Sequence, residues 1–169
     1  MAFHEVPIES LEFNPFKKIS KQWMLITAGP EKNCNTMTAS WGGLGILWGK
    51  PVSTIYIRPQ RYTREFVERE DYYTLSFLPE QYRPQLNYCG SHSGREADKF
   101  EACGLHRAEA ACGAAYVAEA ELVLVCRKLY WQDMDPDHFL VPEIAENCYP
   151  QKDYHRIYIG EIVQALTNA

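Results

Sequence analysis

Apolar stretches with the character of β-strands recur from one end of the chain to the other, and this distribution most constrains the fold. They are rich in β-branched and aromatic residues, and turn residues end them. One has a continuous apolar centre at residues 122–125 that also fits a buried helix, but its length and flanks favour a strand. The sequence predicts strands at residues 23–27, 52–57, 73–78, 118–131 and 154–166.

Helices are predicted only between residues 64 and 103. Thr63 can cap a helix over residues 64–70, with Phe66 and Val67 facing the core, and residues 81–88 and 94–103 read as short helical or irregular segments. Without strict βαβ alternation, this order predicts a mainly β fold, a mostly antiparallel barrel with a few peripheral helices. The glycines after Trp41 lack the G-x-G-x-x-G spacing of a doubly wound dinucleotide fold.

Length and charge limit the classes of protein to consider. The 169 residues fit a single domain over residues 1–169, and 46% hydrophobic with 23% charged residues is an ordinary globular balance. A formal net charge of −5 disfavours nucleic-acid and membrane partners, because both are polyanionic surfaces. Residues 1–10 have neither a basic start nor an apolar run, so no signal peptide is predicted and a cytoplasmic location is expected.

The six cysteines and the histidines form no pattern that is typical of a metal site. There is no Cys-x-x-Cys pair and no zinc-like quartet, so reduced thiols are expected and no metal is predicted. Cys126 directly follows the apolar residues 122–125 and is expected in the core. No serine or cysteine has an arranged base, so hydrolysis by an activated nucleophile is not predicted.

Three arginines fall within seven residues of an otherwise acidic chain: Arg58, Arg61 and Arg64. Thr63 and the predicted helix start lie beside them, so guanidinium groups, a hydroxyl and free helix amides come together. This combination suits a phosphate dianion. The alternative is a solvated helix face in which the arginines pair with Glu65 and Glu68, and the sequence leaves both interpretations open.

Residues 35–40 combine small and polar side chains. Their backbone and side-chain groups can hydrogen-bond a planar heterocycle that presents alternating donors and acceptors. The glycines at 42, 43 and 45 indicate a chain that passes close to something bulky and flat. A polar hairpin or bulge is the alternative interpretation. The candidate residues are Asn35, Thr36, Met37, Thr38, Ala39 and Ser40.

Two tryptophans and a lysine complete the candidates. Trp41 can stack on a ring or fill the core, whereas Trp48 is expected in the core, where tryptophan is more frequent. Lys99 belongs to a second polar loop with Ser93 and Gly94 and can bring a positive charge to an anion. An ordinary surface lysine is the alternative.

Four segments in this order resemble the flavin reductase-like FMN-binding family, and its flavoredoxin-like branch in particular. They are Asn35–Trp41 (NTMTASW), Lys50–Phe66 (KPVSTIYIRPQRYTREF), Ser93–Phe100 (SGREADKF) and His155–Ile162 (HRIYIGEI). No single motif decides the match, but four in one order are specific, and the match covers most of the chain.

The resemblance implies a split β-barrel that forms a homodimer, with FMN held near the subunit boundary by a loop at residues 35–41. Asn35 and Trp41 belong to that loop, and its other residues are implied to line the flavin ring: Met37, Thr38, Ala39 and Ser40. The ribityl phosphate is implied to bind Arg58, Arg61, Tyr62, Thr63 and Lys99.

For function, the resemblance implies an FMN-dependent oxidoreductase that reduces flavin or another small acceptor with NAD(P)H. The alternatives are a flavoredoxin-like electron carrier with a redox protein partner, and a module that binds a different phosphorylated aromatic. Asp153, Tyr154 and His155 stand where the nucleotide-using branch often has Gly-Asp-His, and Trp41 with two glycines replaces its serine and aromatic pair. His155 is the candidate catalytic residue and is expected to affect donor binding more than chemistry.

Overall fold

The computed structural model describes residues 2–168, which contain ten strands and five α-helices. The strands are β1 (His4–Val6), β2 (Met24–Ala28), β3 (Asn35–Ala39), β4 (Gly42–Leu47), β5 (Lys50–Ile57), β6 (Tyr72–Phe77), β7 (Arg107–Glu109), β8 (Ala115–Val117), β9 (Leu122–Asp133) and β10 (Arg156–Thr167). The α-helices are α1 (Pro15–Lys17), α2 (Tyr62–Arg69), α3 (Arg83–Ser91), α4 (Lys99–Cys103) and α5 (Pro142–Cys148), and a π-helix, Lys18–Gln22, follows α1. None of the helices in this part of the chain has the length and apolar composition of a membrane span.

Eight strands form one antiparallel sheet in the order β3-β2-β6-β9-β10-β5-β4, with β1 paired to β10. Strand β10 shifts register against β9 between Ile159 and Gly160 and again between Ile162 and Gln164. Such bulges bend a strand and increase its twist. Only Ser40 and Trp41 separate β3 from β4, which lie at opposite ends of the sheet. The sheet must therefore curl until its two ends meet, which gives a split barrel.

Both faces of the central strands are buried, which explains their continuously apolar sequences. In β2, Met24 and Ile26 belong to the cluster inside the barrel. Leu25 between them belongs to a second cluster, on the outer face, with Leu86 of α3 and Phe100 of α4. Successive side chains of a strand point to opposite faces, so one apolar run serves two cores.

The predicted fold class is confirmed, since the structure is mostly antiparallel sheet with few helices. All five predicted strands are present, with ends displaced by at most four residues. Phe66, Val67 and Cys126 are buried as expected. The helical prediction was too narrow, because α1, the π-helix and α5 lie outside residues 64–103.

The expectation of a loop at residues 35–41 was wrong, because residues 35–39 form strand β3 and are mostly buried. The polar side chains of β3 are typical of a loop, but in the structure they form hydrogen bonds inside the fold. Thr27 donates a hydrogen bond of 2.9 Å to the hydroxyl of Thr36, which donates to the carbonyl oxygen of Ile26 at 3.2 Å. A buried strand tolerates polar residues when each is hydrogen-bonded.

Two further local predictions were wrong. Thr63 does not cap α2: the capping position falls on Arg61 without a side-chain hydrogen bond, and Thr63 lies in the first turn. Trp48 is not in the core but 57% exposed. It lies with Gly49 in the tight turn between β4 and β5, where both residues have positive φ angles, 54° and 69°. Such two-residue turns favour residues that tolerate positive φ. The side chain of a turn residue lies beyond the end of the two strands, so Trp48 cannot reach the core.

Candidate functional site

The main candidate site is a cavity of about 240 Å³ against β3, at the junction with β4. It unites eight residues that the sequence nominated, from segments more than a hundred residues apart: Met37, Thr38, Ala39, Ser40, Trp41, Arg58, Arg61 and His155. Tyr56 and Gly90 line it too and were missed. Tyr56 belongs to the predicted strand at residues 52–57, where it alternates with Ile55 and Ile57. This alternation was a signal that its side chain points to the opposite face of the strand from theirs.

A smaller cavity of about 150 Å³ adjoins the first, and Arg61 lines both. It contains the other nominated residues with cationic or hydroxyl groups: Tyr62, Thr63 and Lys99. Ser93 and Gly94 of the second polar loop also line it, together with three residues that were not nominated: Gln60, Ser91 and His92. The sequence held no signal for Ser91 and His92, because only tertiary packing brings the end of α3 to this position.

Asn35 is 6% exposed and lines neither cavity, but it connects the elements that build the smaller one. Its side-chain amide donates a hydrogen bond of 2.8 Å to the Thr63 hydroxyl, which joins β3 to the first turn of α2. A Cβ atom on Gly94 would lie only 2.0 Å from Oδ1 of Asn35. A larger residue at position 94 would therefore displace the Asn35 side chain.

Two cations border the smaller cavity. Lys99 is only 3% exposed, and its Nζ donates to the carbonyl oxygen of Thr36 at 2.9 Å. Arg61 donates from Nη1 to the carbonyl oxygen of Gly90, also at 2.9 Å. Burial, together with the charge of Arg61, lowers the pKa of Lys99 to about 8. Within residues 2–168, neither cation is paired with a carboxylate.

Arg58 and Arg64 differ from Arg61, because carboxylates already face them. Arg58 contacts Asp153 at 2.7 Å and packs over the ring of Tyr149. Arg64 lies 3.7 Å from Glu68, as the solvated-face interpretation expected. Among residues 2–168, Arg61 is therefore the one arginine of the three that has no acidic partner. Arg58 lines the larger cavity rather than the smaller one.

His155 lies 7% exposed in the wall of the larger cavity, where its Nδ1 is 2.6 Å from the hydroxyl oxygen of Tyr149. The rings of Trp41 and Tyr56 surround it at centroid distances of 5.4 and 6.3 Å. Burial, and secondarily the charge of Arg58, lowers the pKa of His155 to about 4. The imidazole is therefore neutral at pH 7 and acts as a hydrogen-bonding group rather than a cation.

Strand β3 supplies the backbone of the site because it is an edge strand. It pairs only with β2, so one side of it presents backbone N–H and C=O groups that no strand satisfies. The carbonyl of Thr36 receives Lys99 on this side, while the Thr38 hydroxyl donates to the carbonyl of Leu86 at 2.5 Å. A planar ligand with alternating donors and acceptors can bind such an edge.

The fold and this site define a split-barrel protein with a two-part cavity, cationic in its smaller part, beside a strand edge that no other strand covers in residues 2–168. Residues 16–169 match the sequence model of the flavin reductase-like domain. The chain belongs to the flavin reductase-like domain family.

Solved structures share the fold. An FMN-binding domain of flavin reductase-like enzymes from Shewanella baltica is 19% identical, with a TM-score of 0.70 over 99% of this chain and 78% of that one. The flavoredoxin of Desulfovibrio vulgaris (Miyazaki F) is 20% identical, with a TM-score of 0.67 over 86% and 69%. An NADH:FAD oxidoreductase of Streptomyces globisporus, solved with NAD and FAD fragments, is 17% identical, with 0.65 over 86% and 74%. No curated protein sequence matches the chain.

Proposed function

We propose that this chain binds FMN in the two adjoining cavities and works as an FMN-dependent oxidoreductase, reducing flavin or another small acceptor with electrons from NAD(P)H. One observation carries the proposal: Arg61 and the buried Lys99 border one small cavity without a carboxylate partner among residues 2–168. Buried cations are costly unless an anion compensates them, and a phosphate dianion is the compensating group that fits their donors.

Each part of the FMN molecule has a matching part of the site. The phosphate would be held by Arg61 and Lys99 with the hydroxyls of Tyr62 and Thr63, all of which line the smaller cavity. The flavin ring would lie along β3 in the larger cavity, against the nominated residues Met37, Thr38, Ala39 and Ser40, with Trp41 at its mouth. Arg58 would contribute its charge there only in part, because Asp153 already faces it.

The residues of the chain would position the reactants rather than transfer protons in a relay. Bound FMN would supply the chemistry, accepting a hydride and passing two electrons to the acceptor. The phenol of Tyr149, whose pKa is raised by burial, stays protonated and can donate to Nδ1 of His155. This would leave the imidazole proton on Nε2, where the neutral histidine could donate a hydrogen bond to the electron donor.

A second candidate is a flavoredoxin-like electron carrier that a protein partner reduces. Trp41 supports it, because this aromatic side chain is 49% exposed at the mouth of the larger cavity and offers a contact for a docking protein. Turnover separates the two: rapid NAD(P)H oxidation in the presence of free flavin supports the reductase, and reduction by a redox protein alone supports the carrier.

The chain is also proposed to act as one domain that forms a homodimer. Strand β4 ends the sheet, and its outer residues are apolar and uncovered, with Ile46 75% exposed. Edge strands of this kind are usually shielded by another chain or element. Ser40 and Trp41 directly precede β4 and line the larger cavity. A second chain packed against β4 would therefore lie next to the flavin ring.

The test is the visible spectrum of the purified protein, alone and titrated with FMN, before and after NAD(P)H is added under nitrogen. We expect flavin absorption in one-to-one stoichiometry and its bleaching by the donor. A colourless protein that does not retain added FMN would refute the cofactor assignment, and a yellow protein that NAD(P)H does not bleach would refute the reductase in favour of the carrier.

A further inference from the structure

A third cavity, of about 580 Å³, lies next to the candidate flavin site. Four separate parts of the chain build it: the α1–π-helix segment, residues 40–44 at the start of β4, Tyr56 of β5, and the stretch from Met134 to Tyr149. Phe16, Ile19, Phe139 and Ile144 are among its lining residues. None of the described residues that line it carries a charge. Its size is that of a small-molecule site, and its wall is apolar.

The two cavities adjoin each other. Ser40, Trp41 and Tyr56 line both of them. A molecule in the apolar cavity would therefore lie against the same two aromatic rings as the proposed flavin ring. These shared lining residues distinguish the cavity from an unrelated surface groove.

The apolar cavity leaves large hydrophobic side chains uncovered. Phe16 is 82% exposed and Ile144 is 49% exposed. Exposed apolar surface of this kind is unfavourable by about 25 cal/mol per Å², and contiguous patches mark binding sites. The wall also includes Ile19 and Ser20 of the π-helix, a rare geometry that occurs mostly at functional sites.

We propose that this cavity binds the electron acceptor, and that the acceptor is a neutral, flat, mainly apolar molecule of the quinone type. The inference rests on the proposed function and specifies the acceptor. The balanced reaction is NAD(P)H, one proton and a quinone giving NAD(P)⁺ and a hydroquinone. An anionic acceptor, such as a ferric complex or a phosphorylated flavin, would have to leave water for a wall that offers no charge to compensate it.

The test uses a tetramethyl-benzoquinone, whose blocked ring carbons do not alkylate cysteine, and the oxidised FMN-loaded protein. Equilibrium dialysis gives the dissociation constant of the quinone. Steady-state turnover with ferricyanide, an anionic acceptor, serves as the comparison. Ile144→Glu introduces a charge at the cavity wall, and Ile144→Trp reduces its volume. Val141→Glu is the matched control, because Val141 is 51% exposed on the same segment but does not line the cavity.

We expect both Ile144 variants to weaken quinone binding about tenfold or more, which corresponds to about 1.4 kcal/mol, with unchanged FMN affinity and unchanged ferricyanide turnover. Val141→Glu should match the wild type. Wild-type quinone affinity in both Ile144 variants would overturn the inference. Variants that become monomers but still bind the quinone would also overturn it, because the cavity would then be the contact surface for a second copy of the chain. A wild-type protein that does not bind FMN would instead refute the proposed function itself.

Discussion

Arg61 and Lys99 donate to the same backbone oxygen, the carbonyl of Cys89, at 3.4 and 2.8 Å. One carbonyl dipole does not neutralise two full charges, so the pair repels itself in the absence of a ligand. The helix α3 that carries Cys89 thereby holds two cations at a fixed separation beside the smaller cavity. An anion that enters there gains from both charges at once, and this relationship is the source of the first two predictions.

Substitution of Arg61 should weaken FMN binding. Arg61→Met removes a charge-assisted contact of about 1.5–3 kcal/mol, so the dissociation constant should rise by about tenfold to a hundredfold. Quenching of FMN fluorescence measures it. Arg69→Met is the control, because the Arg69 side chain is 51% exposed and pairs with Glu70. Equal FMN affinity in the Arg61 and Arg69 variants would exclude a phosphate at this position.

FMN affinity should fall as the pH rises through the pKa of Lys99, about 8, which burial and Arg61 have lowered from 10.5. The charged lysine is needed by the phosphate, which stays a dianion above its own second pKa of about 6. Binding therefore takes up a proton above pH 8, and the dissociation constant should rise up to about tenfold per pH unit. Calorimetric titrations of the wild type and Lys99→Met check this, and a persistent slope in the variant would contradict it.

The stability of the protein should decrease in mild acid because of His155. Its pKa is about 4 in the folded state and 6.5 ordinarily, so the unfolded chain binds more protons between these values. The free energy of unfolding is therefore expected to fall as the pH drops from 6.5 to 4, by at most about 3 kcal/mol from this group. Urea unfolding at several pH values should show a flatter profile in His155→Gln. His138→Gln, with a side chain 76% exposed, should keep the wild-type slope.

Removal of the His155 side chain should impair donor binding more than the chemical step. His155→Ala is expected to raise the Michaelis constant for NAD(P)H while changing kcat about twofold or less, because the imidazole is proposed to contact the donor equally in the ground and transition states. Steady-state kinetics measures both constants. An unchanged Michaelis constant would count against this role.

A charge on the free edge of β4 should convert the proposed homodimer to a monomer. Ile46→Lys places an ammonium group on a side chain that is 75% exposed in the isolated chain, and a charged side chain on an edge strand opposes its pairing with another chain. Sedimentation velocity distinguishes the two states. Val163→Lys, on β10 at 41% exposure, is the control and should remain dimeric. A wild-type protein that sediments as a monomer would refute the dimer directly.

Several features of the fold could be predicted because they depend on local pattern. Alternating and continuous apolar runs defined five strands, and their spacing excluded βαβ units, which left a mostly antiparallel barrel. Segments around residues 35–41 and 58–64 stood out by residue chemistry alone. Strand β3 was missed because its polar residues resemble a loop until Thr27 and Thr63 supply their hydrogen-bond partners.

The sequence by itself determined the class of fold and the chemical types at the site, since periodicity and side-chain chemistry are local properties. Only the tertiary structure decided which charges are free. Asp153 approaches Arg58 and Glu68 approaches Arg64, while Arg61 has no such partner among the described residues. It also decided that Lys99 is buried rather than a surface lysine, and that Tyr56 joins the site. These outcomes depend on contacts between residues far apart in the chain, which no local pattern encodes.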